Sequence, residues 1–269
     1  MNSKWIGQVF FMELRKLITY RADFWVNFFG LTFFSLTLAY FLWESIFSYT
    51  DQNEMSGFTL NQMIFYYLVT PLVFRIQQGQ NIGFLSREIY DGTLNKYLLY
   101  PIDVYKYKLA TYLAHSTFFT LQLIFIVFCY HLFMGENSVY SFELFPFLGF
   151  LISLIIASMT FFYMFTLAEL LAFWFDNIWS LGVMLRFSSS FFGGALIPLA
   201  FFPQWAQEFL NFTPFPYLIS FPYETLIGEL SLSQFCLQCL ISLVWLLMFR
   251  QVSLLIWRKG QYQYTGVGI

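Results

Sequence analysis

The sequence predicts an all-α membrane protein with six transmembrane helices, and three observations lead to this class. The 269 residues are 59% hydrophobic and only 10% charged, against about 25% charged in ordinary soluble domains. The apolar residues come in long runs, whereas a β-barrel would show short alternating strands. Five of the eight prolines fall between Pro198 and Pro222, in a stretch that is apolar yet cannot form one straight helix.

Charge and cysteine content narrow the possible partners. A net charge of −2 argues against a nucleic-acid partner, because no basic field exists to release counterions. The composition instead makes the lipid bilayer the surrounding partner. The three cysteines are odd in number and lie in apolar runs, so they predict neither a disulfide framework nor a metal site.

Six apolar runs supply the predicted spans, since a span needs roughly 20 mainly apolar residues. Arg186 interrupts the fifth run, whose limits the sequence leaves open. The runs cover residues 24–43, 55–74, 109–135, 144–168, about 177 to the proline-rich window, and 230–249 with an extension toward 257.

Lys and Arg set the predicted orientation, because they are enriched in cytoplasmic segments. They concentrate before residue 22, in the loop 75–108 and after residue 249, while most other connections are acidic. Both termini and the loop 75–108 are therefore predicted to face the cytoplasm, which requires an even number of spans. We find no internal repeat and no linker, so residues 1–269 are predicted to form a single transmembrane domain.

Residues 4–21 predict an amphipathic helix that lies in the membrane interface. Ile6, Phe10, Leu14 and Leu17 recur at steps of three and four, and polar residues occupy the opposite face. The simpler alternative is a cationic start to the first span.

The 34-residue loop 75–108 is longer than a plain connection needs to be. Ser86 is expected to cap a short helix, with Glu88 and Asp91 in its first turns, and Gly92 punctuates the loop. Charged residues alternate with apolar ones, so the loop indicates a docking helix for a cytoplasmic partner. An ordinary interfacial loop remains the alternative.

The proline-rich window predicts broken backbone at membrane depth. Each proline removes a backbone donor, and hydrocarbon offers no water to satisfy the freed carbonyl groups. Such backbone persists only inside protein or along a cavity, so the window is a candidate part of a translocation path.

Glu169 and Arg186 are predicted to form an ion pair near the membrane. Arg at mid-bilayer costs about 2.5–3.5 kcal/mol on insertion scales, so it should face protein or a wet cavity and have a partner. Glu169 is one tight turn away in the chain. The pair is either a structural link between adjacent helices or part of the lining of a path.

Two other function classes remain open at this stage. No Gly-x-x-x-x-Gly-Lys-Ser/Thr phosphate loop occurs, so energy for transport would come from a partner or from an ion gradient, as in a secondary transporter. An intramembrane enzyme would need a nucleophile and a base within reach. Ser188 to Ser190 lack a Gly-x-Ser-x-Gly setting, and His115 and His131 are sixteen residues apart, or about 24 Å along a helix.

Two segments carry a family resemblance. Residues 87–101 read REIYDGTLNKYLLYP, and segment 193–224 begins GGALIP and ends FPYE. Together with the order of the spans, these segments resemble the permease subunits of ABC-2-type exporters. Among those subunits they are most similar to small bacterial six-span permeases related to drug-resistance exporters, and the resemblance covers essentially the whole chain.

The resemblance implies a coupling helix in the loop and paired re-entrant helices at 198–222 on the outer side, between spans five and six. It assigns ATPase coupling to Ser86, Arg87, Glu88, Asp91, Gly92, Leu94 and Leu98. It assigns the path and the re-entrant segment to Gly193, Gly194, Pro198, Pro203, Pro214, Pro216, Pro222 and Glu224.

The resemblance also implies the partners. A dimer of separate ABC ATPase subunits would bind ATP and Mg, so the chain itself would bind no cofactor and catalyse no reaction. A second permease, identical or paralogous, would complete the transporter in the bacterial cytoplasmic (inner) membrane. The implied activity is export of an amphipathic or lipid-like substrate.

Overall fold

The computed structural model describes residues 4–19, 21–79, 84–99, 102–135, 138–140, 143–175 and 178–264. Regular structure in these ranges is helical, apart from an isolated β-bridge between Met55 and Phe58. The all-α prediction is therefore confirmed for the described residues. The helices are α1 (Lys4–Thr19), α2 (Arg21–Thr50), α3 (Leu60–Gln78), α4 (Phe84–Tyr90), α5 (Asn95–Leu98), α6 (Val104–Met134), α7 (Leu144–Glu169), α8 (Trp179–Phe192), α9 (Gln204–Leu210), α10 (Ser220–Ile227) and α11 (Leu232–Gln263).

Each of the six predicted apolar runs coincides with a helix, namely α2, α3, α6, α7, α8 and α11. Within the described residues, three helices are long and apolar enough to cross a membrane: α6, α11, and α7 with the 3-10 turn that carries it on to Phe173. Helix α8 has only 14 residues, about 21 Å at 1.5 Å per residue, so alone it is shorter than the roughly 30 Å hydrocarbon core.

Helix α7 lies at the centre of the fold. Of its most apolar window, 56% is buried, against 22% for α6 and 11% for α11. It packs against α11, α10 and α3, and the core beside it contains the fully buried Phe65, Leu123 and Phe161. The low burial of α6 and α11 leaves long apolar surfaces outward, as expected of helices that face lipid.

A polar seam joins α3, α6 and α7 near the middle of α7. The Tyr112 hydroxyl lies 2.8 Å from the Gln77 carbonyl oxygen and 2.9 Å from that of Ser158. Ser116 donates a hydrogen bond of 3.0 Å to the carbonyl of Ile76. Interhelical hydrogen bonds of this kind position spans that have no hydrophobic drive to associate in lipid.

The amphipathic helix predicted for residues 4–21 is α1, which ends at Thr19 and packs along α6. Leu17 is buried, as the pattern requires, and Phe10 is half-buried. Glu13 is also buried and accepts a 2.7 Å hydrogen bond from Lys16, which raises the pKa of that lysine. Helix α1 therefore packs on α6 through part of its apolar face, while its position in the interface stays a prediction.

Candidate functional site

The segment predicted as one coupling helix consists of two short helices, α4 and α5. Gly92 separates them with a φ of +71°, a left-handed conformation that glycine adopts readily and other residues rarely do. The predicted cap at Ser86 is wrong, because α4 begins at Phe84 and Ser86 lies inside it. Leu98 ends α5, but its side chain lies outside the described residues, as does Pro101.

Glu88 is the centre of an ion-pair network inside this segment. Its carboxylate lies 3.2 Å from the Lys96 ammonium and 2.7 Å from the Lys108 ammonium, and it accepts a 3.0 Å hydrogen bond from the Tyr97 hydroxyl. Burial and the adjacent Glu88 charge raise the pKa of Tyr97, so its phenol stays protonated and remains a donor. Because Lys108 belongs to α6, the network ties both short helices to a spanning helix.

The side chains of Arg87 and Asp91 lie on the exposed surface, outside the Glu88 network. Their side chains are 77% and 43% exposed, and they form a surface ion pair of 3.4 Å across one turn of the helix. Such a pair contributes little to stability, which leaves both charges available to a partner. The resemblance assigns Arg87 and Glu88 the same role, whereas the structure separates them into an outer and an inner residue.

An apolar cluster holds the coupling segment, α4 and α5, against the spanning helices. Leu94 is fully buried, Leu85 and Ile89 are nearly so, and they pack with Leu170 at the end of α7 and Trp257 on α11. Gly260 lies against the ring of Phe173 so closely that a Cβ would overlap it. Val104 of α6 belongs to the same cluster, so the segment packs on the ends of three spanning helices.

A hollow opens beside this cluster. Its polar lining includes Lys108, Thr166 and Glu169, and its remaining walls are mainly aromatic. Glu169 is buried at the last position of α7.

The structure does not form the predicted ion pair between Glu169 and Arg186. No ion pair within 4.0 Å joins these two described residues, and Arg186 instead places its guanidinium 5.3 Å from the ring centroid of Phe165. An aromatic face attracts a cation through its quadrupole, so Phe165 provides the contact expected from the carboxylate. The sequence argument considered only opposite charges and missed this ring, which lies one helical turn before Glu169.

The proline-rich window is broken, as predicted. After α8 the chain forms a 3-10 turn at Leu199–Phe201, the short helix α9, a second 3-10 turn at Pro216–Leu218 and then α10. Pro198 and Pro203 immediately precede helical turns and Pro216 opens one, which are the places where a missing N–H costs least. Pro214 and Pro222 are buried. Four short elements thus follow α8 in place of one straight helix.

Gly193 and Gly194 allow the backbone after α8 to pack closely against the start of α10. The Gly193 carbonyl accepts hydrogen bonds from the Ser220 amide at 3.1 Å and the Ser220 hydroxyl at 2.9 Å. Gly194 has a φ of +95°, and a Cβ there would lie 2.8 Å from the Tyr66 hydroxyl oxygen. The segment that follows α8 is therefore closed onto the start of α10.

Side chains of α3 satisfy the carbonyls that the broken segment exposes. Tyr66 donates to Gly194, Tyr67 donates to Leu196 at 2.7 Å, and the buried Gln77 amide donates to Leu218. Glu224 is half-buried in α10, where its carbonyl accepts the N–H groups that end the helix. Sequence reasoning missed these α3 residues, although polar side chains inside an apolar run were the available signal.

These features define the class of protein. The chain is a multi-pass helical membrane protein with a compact charged segment on the ends of its spanning helices and a broken helical segment held against α3.

Residues 33–268 match the family model described as ABC-2 family transporter protein, and the chain belongs to this family. It is accordingly a permease component of an ABC transporter, a class whose members generally partner with ABC ATPase subunits. No curated protein and no solved structure shows significant similarity to the chain.

Proposed function

We propose that the chain is the six-span permease subunit of an ATP-driven exporter that moves an amphipathic or lipid-like substrate. It lies in the bacterial cytoplasmic membrane with both termini in the cytoplasm. A dimer of separate ATPase subunits binds and hydrolyses ATP with Mg, and a second permease, identical or paralogous, completes the path. The chain itself performs no covalent chemistry.

The observation that carries this proposal is the Glu88 network under an exposed Arg87–Asp91 surface. A docking element must offer charges to its partner and also be rigidly fixed to the part that moves. Arg87 and Asp91 meet the first need, and the ion pair from Glu88 to Lys108 meets the second. Closure of the ATPase dimer would then move α4, α5 and α6 as one body, which is the rigid-body kind of switching transition.

The broken segment supplies the gate in this proposal. Its four short elements close on themselves at Gly193 and are held by side chains of α3, the helix that leads directly into the coupling segment. Movement of α3 would therefore change the hydrogen bonds of Tyr66 and Gln77 to the segment. We expect this rearrangement to open the path on the outer side.

Co-purification tests the proposal. The full chain, expressed together with its proposed ABC ATPase subunit, should purify as a complex whose ATP hydrolysis is stimulated by substrate. Charge reversal at both Arg87 and Asp91 should release the ATPase while the permease stays folded. The proposal fails if the purified chain moves substrate down an ion gradient with no ATPase present.

A further inference from the structure

Arg186 has a buried donor that no described residue satisfies. Its guanidinium is oriented by the ring of Phe165, 5.3 Å from the centroid. Its Nε atom is buried and has no hydrogen-bond partner, and Arg186 takes part in none of the ion pairs between described residues. A buried donor on a permanent cation is costly to leave unpaired, and cations inside membrane segments generally mark a pathway.

The position of Arg186 on α8 places it at a border. Gly182 and Ser189, about one turn away on either side, are buried. Val183 and Phe187, the next residues around the helix, are 42% and 61% exposed. The cation therefore lies between the packed face of α8 and an open apolar face. A ligand on this border would place its polar group beside the guanidinium and its apolar part along Val183 and Phe187.

We propose that Arg186 binds the anionic headgroup, phosphate or carboxylate, of the amphipathic cargo. This inference rests on the proposed export function and names the charge of its substrate. A guanidinium presents a planar fork of donors that matches both groups, and the contact with the Phe165 ring helps to hold it in place. The cargo class is thus an anionic amphiphile, as opposed to a neutral or cationic one.

Fluorescence-detected binding to the full chain in neutral detergent tests this assignment. The probes are short-chain NBD-labelled phosphatidylglycerol and phosphatidylcholine, which share acyl chains and differ in headgroup charge. A fatty acid with the same label tests a carboxylate in place of the phosphate, and free inorganic phosphate as competitor tests for an anion without an acyl chain. We expect wild type to bind the anionic lipid about tenfold more tightly than the zwitterionic one, as one charge-assisted contact provides.

The variants separate the role of Arg186 from general charge. Arg186→Gln should reduce the preference to within about twofold, and Arg186→Lys should keep an intermediate preference because it retains charge without the fork. Arg250→Gln, which removes an exposed arginine of α11, should keep the wild-type preference. Thermal unfolding of each variant shows whether it remains folded.

Three results would overturn the inference. The first is that wild type shows no headgroup preference, and the second is that the Arg186 and Arg250 variants lose the preference equally. The third is that Arg186→Gln dissociates a permease dimer but keeps the lipid preference. The last result would assign the cation to a carboxylate of the second subunit. Because binding is measured without ATP or ATPase, a failed co-purification leaves this result standing, and a lost preference leaves the coupling result standing.

Discussion

The Lys108 ammonium lies 2.7 Å from a Glu88 carboxylate oxygen, although the two residues come from different helices twenty positions apart and each side chain is only 13% exposed. Loss of Glu88 leaves the largely buried Lys108 ammonium without its carboxylate partner. We expect Glu88→Gln to lower the free energy of unfolding by about 1–3 kcal/mol and to weaken coupling between ATP hydrolysis and transport. Thermal unfolding in detergent and the ratio of transport to ATP hydrolysis in vesicles measure the two effects.

Two controls accompany that variant. The exchange Glu88→Lys with Lys108→Glu should recover part of both losses, whereas each single reversal should be worse than Glu88→Gln. Arg87→Gln breaks the exposed pair with Asp91 and should change stability by less than about 1 kcal/mol. Equal destabilisation by Arg87→Gln and Glu88→Gln would contradict the inner position of Glu88.

Gly92 sets the angle between the two short helices of the coupling segment. Its φ of +71° is closed to proline, whose ring fixes φ near −65°, so Gly92→Pro should disrupt the turn. We expect ATP hydrolysis to continue while transport falls at least about tenfold, because the segment no longer transmits motion as one body. Gly57→Pro is the matched control, since Gly57 also has a positive φ, +86°, but lies in the connection between α2 and α3. Full transport by Gly92→Pro would remove the role of this turn.

Gly194 tests the closed state of the broken segment. A Cβ there would lie 2.5 Å from the Ser220 hydroxyl oxygen and 2.8 Å from that of Tyr66, and its φ of +95° also disfavours alanine. Gly194→Ala should therefore destabilise the fold by about 1–3 kcal/mol, as overpacking does. Gly30→Ala meets no atom within 4 Å in α2 and should be neutral or slightly stabilising. Similar melting temperatures for the two variants would contradict the close approach at Gly194.

Two buried tyrosines provide a test of the link from α3 to the broken segment. The Tyr66 hydroxyl donates to the Gly194 carbonyl, so Tyr66→Phe should cost about 0.5–1.5 kcal/mol of stability. The centroids of the Tyr66 and Tyr223 rings are 4.7 Å apart, but the Tyr223 hydroxyl has no hydrogen-bond partner among the described residues. Tyr223→Phe should therefore be neutral or stabilising. Chemical denaturation measures the free energy of unfolding of the two variants. A larger loss of stability for Tyr223→Phe than for Tyr66→Phe would refute the hydrogen bond from Tyr66 to Gly194 as the link between α3 and the broken segment.

Arg186 and Glu169 illustrate a limit of reasoning from charge alone. The sequence argument expects reversal of both charges to restore what either single reversal removes. The structure predicts no such recovery, because Arg186 contacts Phe165 instead. Wild-type transport by the doubly reversed variant would support the ion pair between Glu169 and Arg186 that the sequence argument predicts.

Patterns that repeat along the chain were predictable, and contacts that depend on folding were not. Long apolar runs identify helices because hydrocarbon demands internally satisfied backbone, and α6, α7 and α11 follow directly. The prolines predicted the break after α8 for a similar local reason. Their positions did not reveal which helix would satisfy the freed carbonyls, since Tyr66 and Gln77 lie more than a hundred residues earlier.

The candidate coupling segment also has features that the sequence could predict and features that it could not. The acidic residues and Gly92 marked a short helical element with a turn, and both are present. The direction in which each charge points depends on Lys108 and on the cluster around Leu94, which come together only when α6, α7 and α11 are in place. Sequence alone therefore treated Arg87 and Glu88 as equivalent.

The shortness of α8 bears on the membrane itself. A helix of about 21 Å beside a hydrocarbon core of about 30 Å leaves roughly a third of that thickness to the folded turns that follow it. Acyl chains next to such a helix adapt by local thinning, at a cost that grows with the mismatch. The six-span proposal therefore expects the acyl-chain length of the host lipid to tune the transport rate independently of any ligand.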